Sequence, residues 1–581
     1  MKPSILLADL ARCEPSAAIS RDGRAGTWLA VDYQIDEGPG TMLIGLPGSG
    51  APELTFHLGV AGWHEVRLGI YYGTHAGMME ERTLCAKLTG DVAFSRFRRE
   101  DFRAVKDGDY PEKVLGPLDI AEAFWKCADL TGKDLVVARP PRGEMAATEA
   151  CLAYVRLVPM DDAAVTEWRS EEPRPETRRL VANYDGGSFG QWGVSTPEDY
   201  VAEFDCLRES DFAIVLYAVA RGPITFYPSR VGEFMRPSGH YGAGQVLRQS
   251  VANGCHPLAE AIRAARECGV ALFPQNRFEG PQMPPKHVRA DYGGQFMADH
   301  PEWLCRYADG EPTRHLSFAY DGVRAFYVRM FREWVEDYGA DGINLLFSRS
   351  YPFVYYEEPV CAAFRARYGE DMRALPVSDE RAQQVRAAFV TQFVREIRAM
   401  LDEVGAAQGR RIPTCYNVPV GNSPSNIPDA ARASGRAECL FNALDVAAWI
   451  AEGLVDHLVV HAHAFGGHDG TALQPRVREF THLARGTRTR VYVDVYPRRM
   501  PARQYRKIAM SYYAAGADGL AFWDSYNRYM RASEWAFIKR LGHRDDLARW
   551  HGKGDDWYRV VPLRRLDGFL TGREFSLPSD G

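Results

Sequence analysis

The chain has no CxxC pair. Its 11 cysteines are odd in number and scattered, which argues against a disulfide framework or a zinc site. Cys268, Cys361 and Cys415 lie inside apolar patterns and read as small buried hydrophobes of a reducing compartment. No run of about 18 apolar residues occurs, so no membrane span is expected. The opening MKPSILLADLARCEPS lacks an apolar run long enough for a signal peptide. A soluble, cytoplasmic protein is the expectation. A basic excess is also missing. The formal net charge of −6 favours neither nucleic acid nor an anionic membrane as partner. No GxGxxG or P-loop follows any strand, which weakens a nucleotide-binding sheet.

What is present is ordinary globular material. The 581 residues are 46% hydrophobic and 25% charged, enough for two domains with full cores. Aromatics reach 12%; flat rings suit sugar faces but equally suit cores.

Residues 1–175 are strand-rich. Runs at 27–35, 53–60, 63–72 and 151–158 are aliphatic, β-branched and aromatic, and GPG and GSGAP punctuate them. In the run from Trp63 to Tyr72, Val66, Leu68 and Ile70 share one face. No amphipathic helices intervene, so an antiparallel β-sandwich is expected. It serves either as a buttress or as a carbohydrate-binding module displaying Trp63, Tyr71, Tyr72 and Trp125. The charged, Pro-rich EEPRPETR at 171–178 reads as a linker.

From 178 to 550 the pattern alternates. Strands are expected at 180–185, 212–220, 270–276, 342–347, 412–417, 455–463, 490–496 and 518–524, each followed by a helical pattern. Thr196 suits an N-cap and Pro197 the first helical position. Eight such units predict a (β/α)₈ barrel, an α/β fold, behind the sandwich. Residues 551–581 form a tail with a strand-like piece at 558–563 that packs back on the sandwich.

In such a barrel the site is built at the C-terminal strand ends. Every end here is polar. In VYVDVYP the valines share one face, and Tyr492, Asp494 and Tyr496 share the other. Asp494 is then a nucleophile or base in the barrel mouth, or a partner of an arginine such as Arg349. Glu357 and Glu358 follow three tyrosines, where lost solvation would raise a carboxyl and suit a general acid. The same acids before Pro359 also fit a helix start. Asp524, after Trp523, is the third candidate acid. His461 and His463 share a face of strand six. They read as ligands for sugar hydroxyls, as core packing, or as the centre of a metal-dependent isomerase or lyase. Asp185, Asn276, Arg349, Asn417, Tyr496 and Trp523 complete the expected substrate-binding set.

The stretch HPEWLCRYADGEPTRHLSFAYDGVRAFYVRMFREWVEDYGADGINLLFSRSYPFVYYEEPVCAAF resembles bacterial glycoside-hydrolase-like barrels of the family-10 type. The resemblance spans about residues 178–545. It implies a TIM barrel and carbohydrate as substrate class. Retaining barrels of this kind carry Asn-Glu at the end of strand four and Glu at strand seven. Here Leu345, Leu346 and Phe347 end strand four and Asp494 stands in strand seven; some related barrels have an acid in the place of Leu346. The expectation is a glycoside hydrolase working with two carboxylates, without metal or cofactor. A non-catalytic sugar-binding barrel is the alternative, and a homo-oligomer stays open.

Overall fold

The eight apolar runs become eight parallel strands of one closed barrel. They are β1 (Leu180–Tyr184), β2 (Phe212–Arg221), β3 (Ala271–Arg277), β4 (Ile343–Leu346), β5 (Thr414–Pro419), β6 (His457–His461), β7 (Arg490–Asp494) and β8 (Gly519–Trp523). Each pairs with the next, and β8 returns to β1 with Leu180 opposite Leu520 and Asn183 opposite Trp523. The computed structural model describes residues 3–73, 82–98, 115–116, 118–185, 188–237, 242–278, 294–419, 439–461, 473–496, 500–523, 528–567 and 575–576.

The helices lie outside: α1 (Pro197–Phe204), α2 (Pro257–Glu267), α3 (Asp321–Glu336), α4 (Glu380–Gln408), α5 (Val446–Ala451), α6 (Gln474–Ala484), α7 (Ala502–Ala514) and α8 (Ala532–Ile538). Helix α1 starts where the sequence says it should. Thr196 accepts from the Asp199 N–H at 3.2 Å, and Asp199 accepts from the Thr196 N–H at 3.1 Å, closing a capping box before Pro197. The 29-residue α4 is capped by Asp379 and stopped by Gly409 at φ 65°. Among the described residues no helix is long and apolar enough to cross a membrane.

Strand parity separates two cores. Val181, Ile214, Leu216, Phe273, Cys415, Val459, Tyr492 and Ala521 plug the barrel interior. Leu180, Val215, Leu272, Leu345, Leu458, Val491 and Leu520 point outward onto the helices. Side chains on both faces are therefore buried, as in other parallel barrels.

The N-terminal part forms three mostly antiparallel sheets. One orders Ile5–Leu7, Tyr154–Pro159, Trp63–Tyr71, Asp119–Asp129 and Tyr558–Pro562. The last strand comes from the chain's end, so the tail completes the sandwich. Trp63 is half-buried under the Arg169 guanidinium, and Tyr71, Tyr72 and Trp125 are buried. These rings are packing, not an open platform.

Residues 171–178 depart from the expected linker. A helix (Asp162–Ser170) precedes them. Glu171 is buried against Lys553, and the Thr177 hydroxyl donates to Asp211 at 2.7 Å. The two parts are also joined by charge. Glu203 of α1 is fully buried and takes Arg96 at 2.7 Å and Arg142 at 3.0 Å from the sandwich, with the Tyr529 hydroxyl at 2.7 Å.

Candidate active site

Alternation from the interior plug lifts a polar ring to the C-terminal end of the strands. From Val181 the inward face of β1 continues through Asn183 to Asp185. From Phe273 it runs through Gln275 to Arg277, from Cys415 to Asn417, from Val459 to His461, from Tyr492 to Asp494, and from Ala521 to Trp523. All of these polar groups are at least nine-tenths buried.

Asp494 is the hub. Its Oδ2 accepts from His461 Nδ1 at 2.7 Å and its Oδ1 from the Trp523 backbone N–H at 3.0 Å. Burial alone would raise this carboxyl. The His461 hydrogen bond and charge, the nearby Arg528 and the Trp523 N–H outweigh that, and hold it below the usual carboxylate range. Asp494 is therefore an anion at neutral pH. The imidazole of His461 lies 4.3 Å from the Trp523 ring, centroid to centroid. The expected partner of Asp494, Arg349, goes elsewhere. Its guanidinium stands 3.9 Å from Asp185 and 5.6 Å from the Trp523 ring centre. Asp185 is bound more closely by Arg277, at 2.8 Å.

The layer below is made of amides. Asn344 Nδ2 donates to Asn417 Oδ1 at 2.7 Å and to the Cys415 carbonyl at 3.0 Å. The Gln275 amide is fully buried, with no hydrogen-bond partner for either end among the described residues. Leu346, buried between Arg277 and Asn417 in register, is the apolar break in the ring.

Several expected site residues lie elsewhere. Glu357 flanks the start of a helix (Glu358–Tyr368) and is fully buried. Its oxygens accept from the Arg306 N–H at 3.1 Å and the Tyr355 N–H at 2.8 Å, so it ties a hairpin to that helix. Burial raises its carboxyl, and those N–H bonds only partly oppose the rise. Glu358 has an exposed carboxylate, paired with Arg373 at 3.1 Å, and belongs to the helix start. Asn276 has the wrong parity. Its amide donates to the Gly222 carbonyl at 3.0 Å and to Met330 of α3 at 3.6 Å, outside the barrel. Tyr496, beyond the end of β7, is buried in the helix-facing core with Val493 and Val495. Tyr217 and Tyr416 also face the helices. Asp524 and His463 lie outside the described residues. Among the described residues no group of three or more His, Cys, Asp or Glu side chains could hold a metal.

Two contributors carried no role in the sequence reading. Arg277 was one polar strand-end residue among many until its parity set it against Asp185. Arg528 donates to the Trp523 carbonyl at 3.1 Å and the Val495 carbonyl at 2.9 Å, fixing the ends of β7 and β8.

No family model and no curated protein matches the sequence. Solved structures with a related chain course include an alpha-galactosidase from Thermus thermophilus. It has 12% identity and a TM-score of 0.33, covering 95% of this chain and 99% of that one. An endo-beta-1,4-mannanase from Thermotoga petrophila has 13% identity and a TM-score of 0.35, covering 66% and 78%. A cycloisomaltooligosaccharide glucanotransferase from Paenibacillus sp. has 10% identity and a TM-score of 0.34. The chain matches 54% of that protein's length. At these values the comparisons assign no substrate to the ring just described.

Proposed function

We propose that the ring at the barrel mouth is a glycoside-hydrolysing site whose two carboxylates are Asp494 and Asp185. The observation that carries this reading is their placement. Both are buried at the C-terminal end of the barrel strands, Asp494 on β7 and Asp185 just past β1, with only β8 between them. The register sets Asp185 four residues further along than Asp494, so their backbones stand roughly 16 Å apart and the side chains and substrate must span the rest. Carboxyl groups about 6.5–9.5 Å apart with substrate bound would give inversion, and about 5 Å retention.

The roles divide by charge. Asp494, held ionised by His461, is the base that activates the water. Asp185 is the proton donor to the leaving oxygen. That role requires Arg277 to move onto substrate hydroxyls as the site fills, because a carboxyl beside a guanidinium otherwise stays ionised. Arg349, Asn417, His461 and Trp523 line the sugar's bed. Asp524, next in the chain after Trp523, is the further carboxylate proposed for the mouth.

A panel of aryl glycosides and polysaccharides tests the reading. Asp494→Asn should abolish release from every substrate turned over. Asp185→Asn should spare nitrophenyl glycosides, whose leaving group needs little protonation, more than alkyl glycosides. Equal loss on both would remove Asp185 as the acid.

A second reading is sugar binding without turnover. It is favoured by the engagement of both Asp494 oxygens and by Leu346 interrupting the ring. It predicts thermal stabilisation by a sugar with no product formed.

A further inference from the structure

A cleft of about 330 Å³ opens between the sandwich and the barrel, away from the strand ends that carry the polar ring. Its walls include the indoles of Trp125 and Trp535, and the Lys126 and Lys539 side chains reach it. Pockets at domain boundaries with aromatic walls and a few converging polar groups are common ligand sites.

The two lysines are not equivalent. Lys126 is satisfied: its ammonium meets Asp91 at 2.5 Å and sits 4.5 Å from the Trp125 ring centre. Lys539, at the C-terminus of α8, is only partly exposed, and its amine has no hydrogen-bond or ion-pair partner among the described residues. The charges around it do not favour an ammonium. Arg540 stands next in the chain and Lys126 faces it from the sandwich. The carboxylate that offsets them most is Glu209. Of the other charged groups on the cleft, Asp205 is taken by Arg208 at 2.8 Å, Asp91 by Lys126, and Arg96 by Glu203 at 2.7 Å. Cys206 lines the same wall as a thiol that burial keeps protonated.

We propose that this cleft is a second site, in which the Lys539 amine condenses with a small aldehyde or ketone. The amine attacks the carbonyl carbon to give a carbinolamine; loss of water then forms the C=N bond of an imine, with no oxidant or reductant required. An amine held in a desolvated pocket beside other cations is the arrangement that makes a lysine nucleophilic. Burial first, then the Arg540 charge, lowers the Lys539 amine to about 7, so it is mostly neutral above that pH.

The test uses the full-length protein, benzaldehyde as probe and sodium cyanoborohydride to reduce the imine, with labelled lysines mapped by mass spectrometry. At pH 7 Lys539 should be labelled at least about tenfold faster than Lys87 or Lys507. About half of its amine is then neutral, against less than one part in a thousand for an ordinary lysine near 10.4, an advantage only partly offset by lower intrinsic nucleophilicity. Its labelling rate should level off above about pH 8. Labelling no faster than the two reference lysines, or a rate still rising steeply beyond pH 9, would overturn the proposal. The readout is on the unmodified protein, so it does not depend on a variant folding, nor on whether the barrel mouth cleaves a glycoside. Lys539→Met adds a check: the fast-labelled peptide should vanish with the melting profile kept, and its persistence would place the reactive amine elsewhere.

Discussion

Replacing His461 by alanine should expose how much the barrel mouth depends on one buried hydrogen bond. Asp494 is 1% exposed and keeps only the Trp523 N–H and the more distant Arg528 once the imidazole is gone. Taking the partner from a buried carboxylate costs about 3–5 kcal/mol, because the remaining charge cannot return to water. Unfolding entropy near 60 °C is about 2.1 cal/mol/K per residue. For the roughly 360 residues from Leu180 to Ile538, this cost corresponds to a fall of about 4–7 °C in the barrel's melting temperature. Differential scanning calorimetry at pH 7 reads it. The His461→Ala, Asp494→Asn double variant should recover much of the loss, since the uncompensated charge goes with the partner. The sign with pH is also set. The Asp494 carboxyl is depressed in the folded state, so its contribution is present above its unfolded value near 3.9 and lost as pH falls through the lower folded value. The gap between wild type and Asp494→Asn should therefore close in acid. A His461→Ala melting temperature within 1 °C of wild type, or a double variant no better than the single, would refute the reasoning.

Glu203→Ala should destabilise by about 3–5 kcal/mol, because it leaves the buried Arg96 guanidinium of the sandwich without its carboxylate, while the half-buried Arg142 keeps Asp199 at 2.8 Å; calorimetry should show the transition lowered, and an unchanged one would mean the two parts are joined by packing alone. Glu357→Ala removes two charge-assisted hydrogen bonds and should cost about 2–4 kcal/mol, while any hydrolysis at the barrel mouth persists below the new melting point. Glu358→Gln should change stability by less than about 0.5 kcal/mol, because its carboxylate is exposed and its Arg373 partner is at the surface.

How much of this was legible in the chain depends on how each feature is written. The barrel was, because eight apolar runs separated by helical patterns admit few folds. The start of α1 was, because a capping box is local in sequence. The parity of β7 was too, since its valines alternate with Tyr492 and Asp494. The parity of β3 was not. Both faces of a barrel strand are buried, so Gln275 and Asn276 look alike until Phe273 is seen on the interior. The two glutamates were ambiguous by nature. An acid before a proline fits both a helix start and a catalytic loop, and only the Arg306 and Tyr355 N–H groups show which applies to Glu357. The residues 171–178 carry linker composition, yet their fixing comes from Lys553 and Asp211, far along the chain. Likewise Glu203 meets Arg96 across a gap in sequence that no spacing rule reaches.

The most direct test of the central claim is proton NMR of the wild-type protein acting on whichever glycoside the panel shows to be cleaved, run beside Asp494→Asn. We expect the wild type to release product first as a single anomer, and the variant to be slower by about a thousandfold with its fold retained. Hydrolysis by the variant at near wild-type rate would contradict the account, as would a wild type that binds sugar and releases nothing.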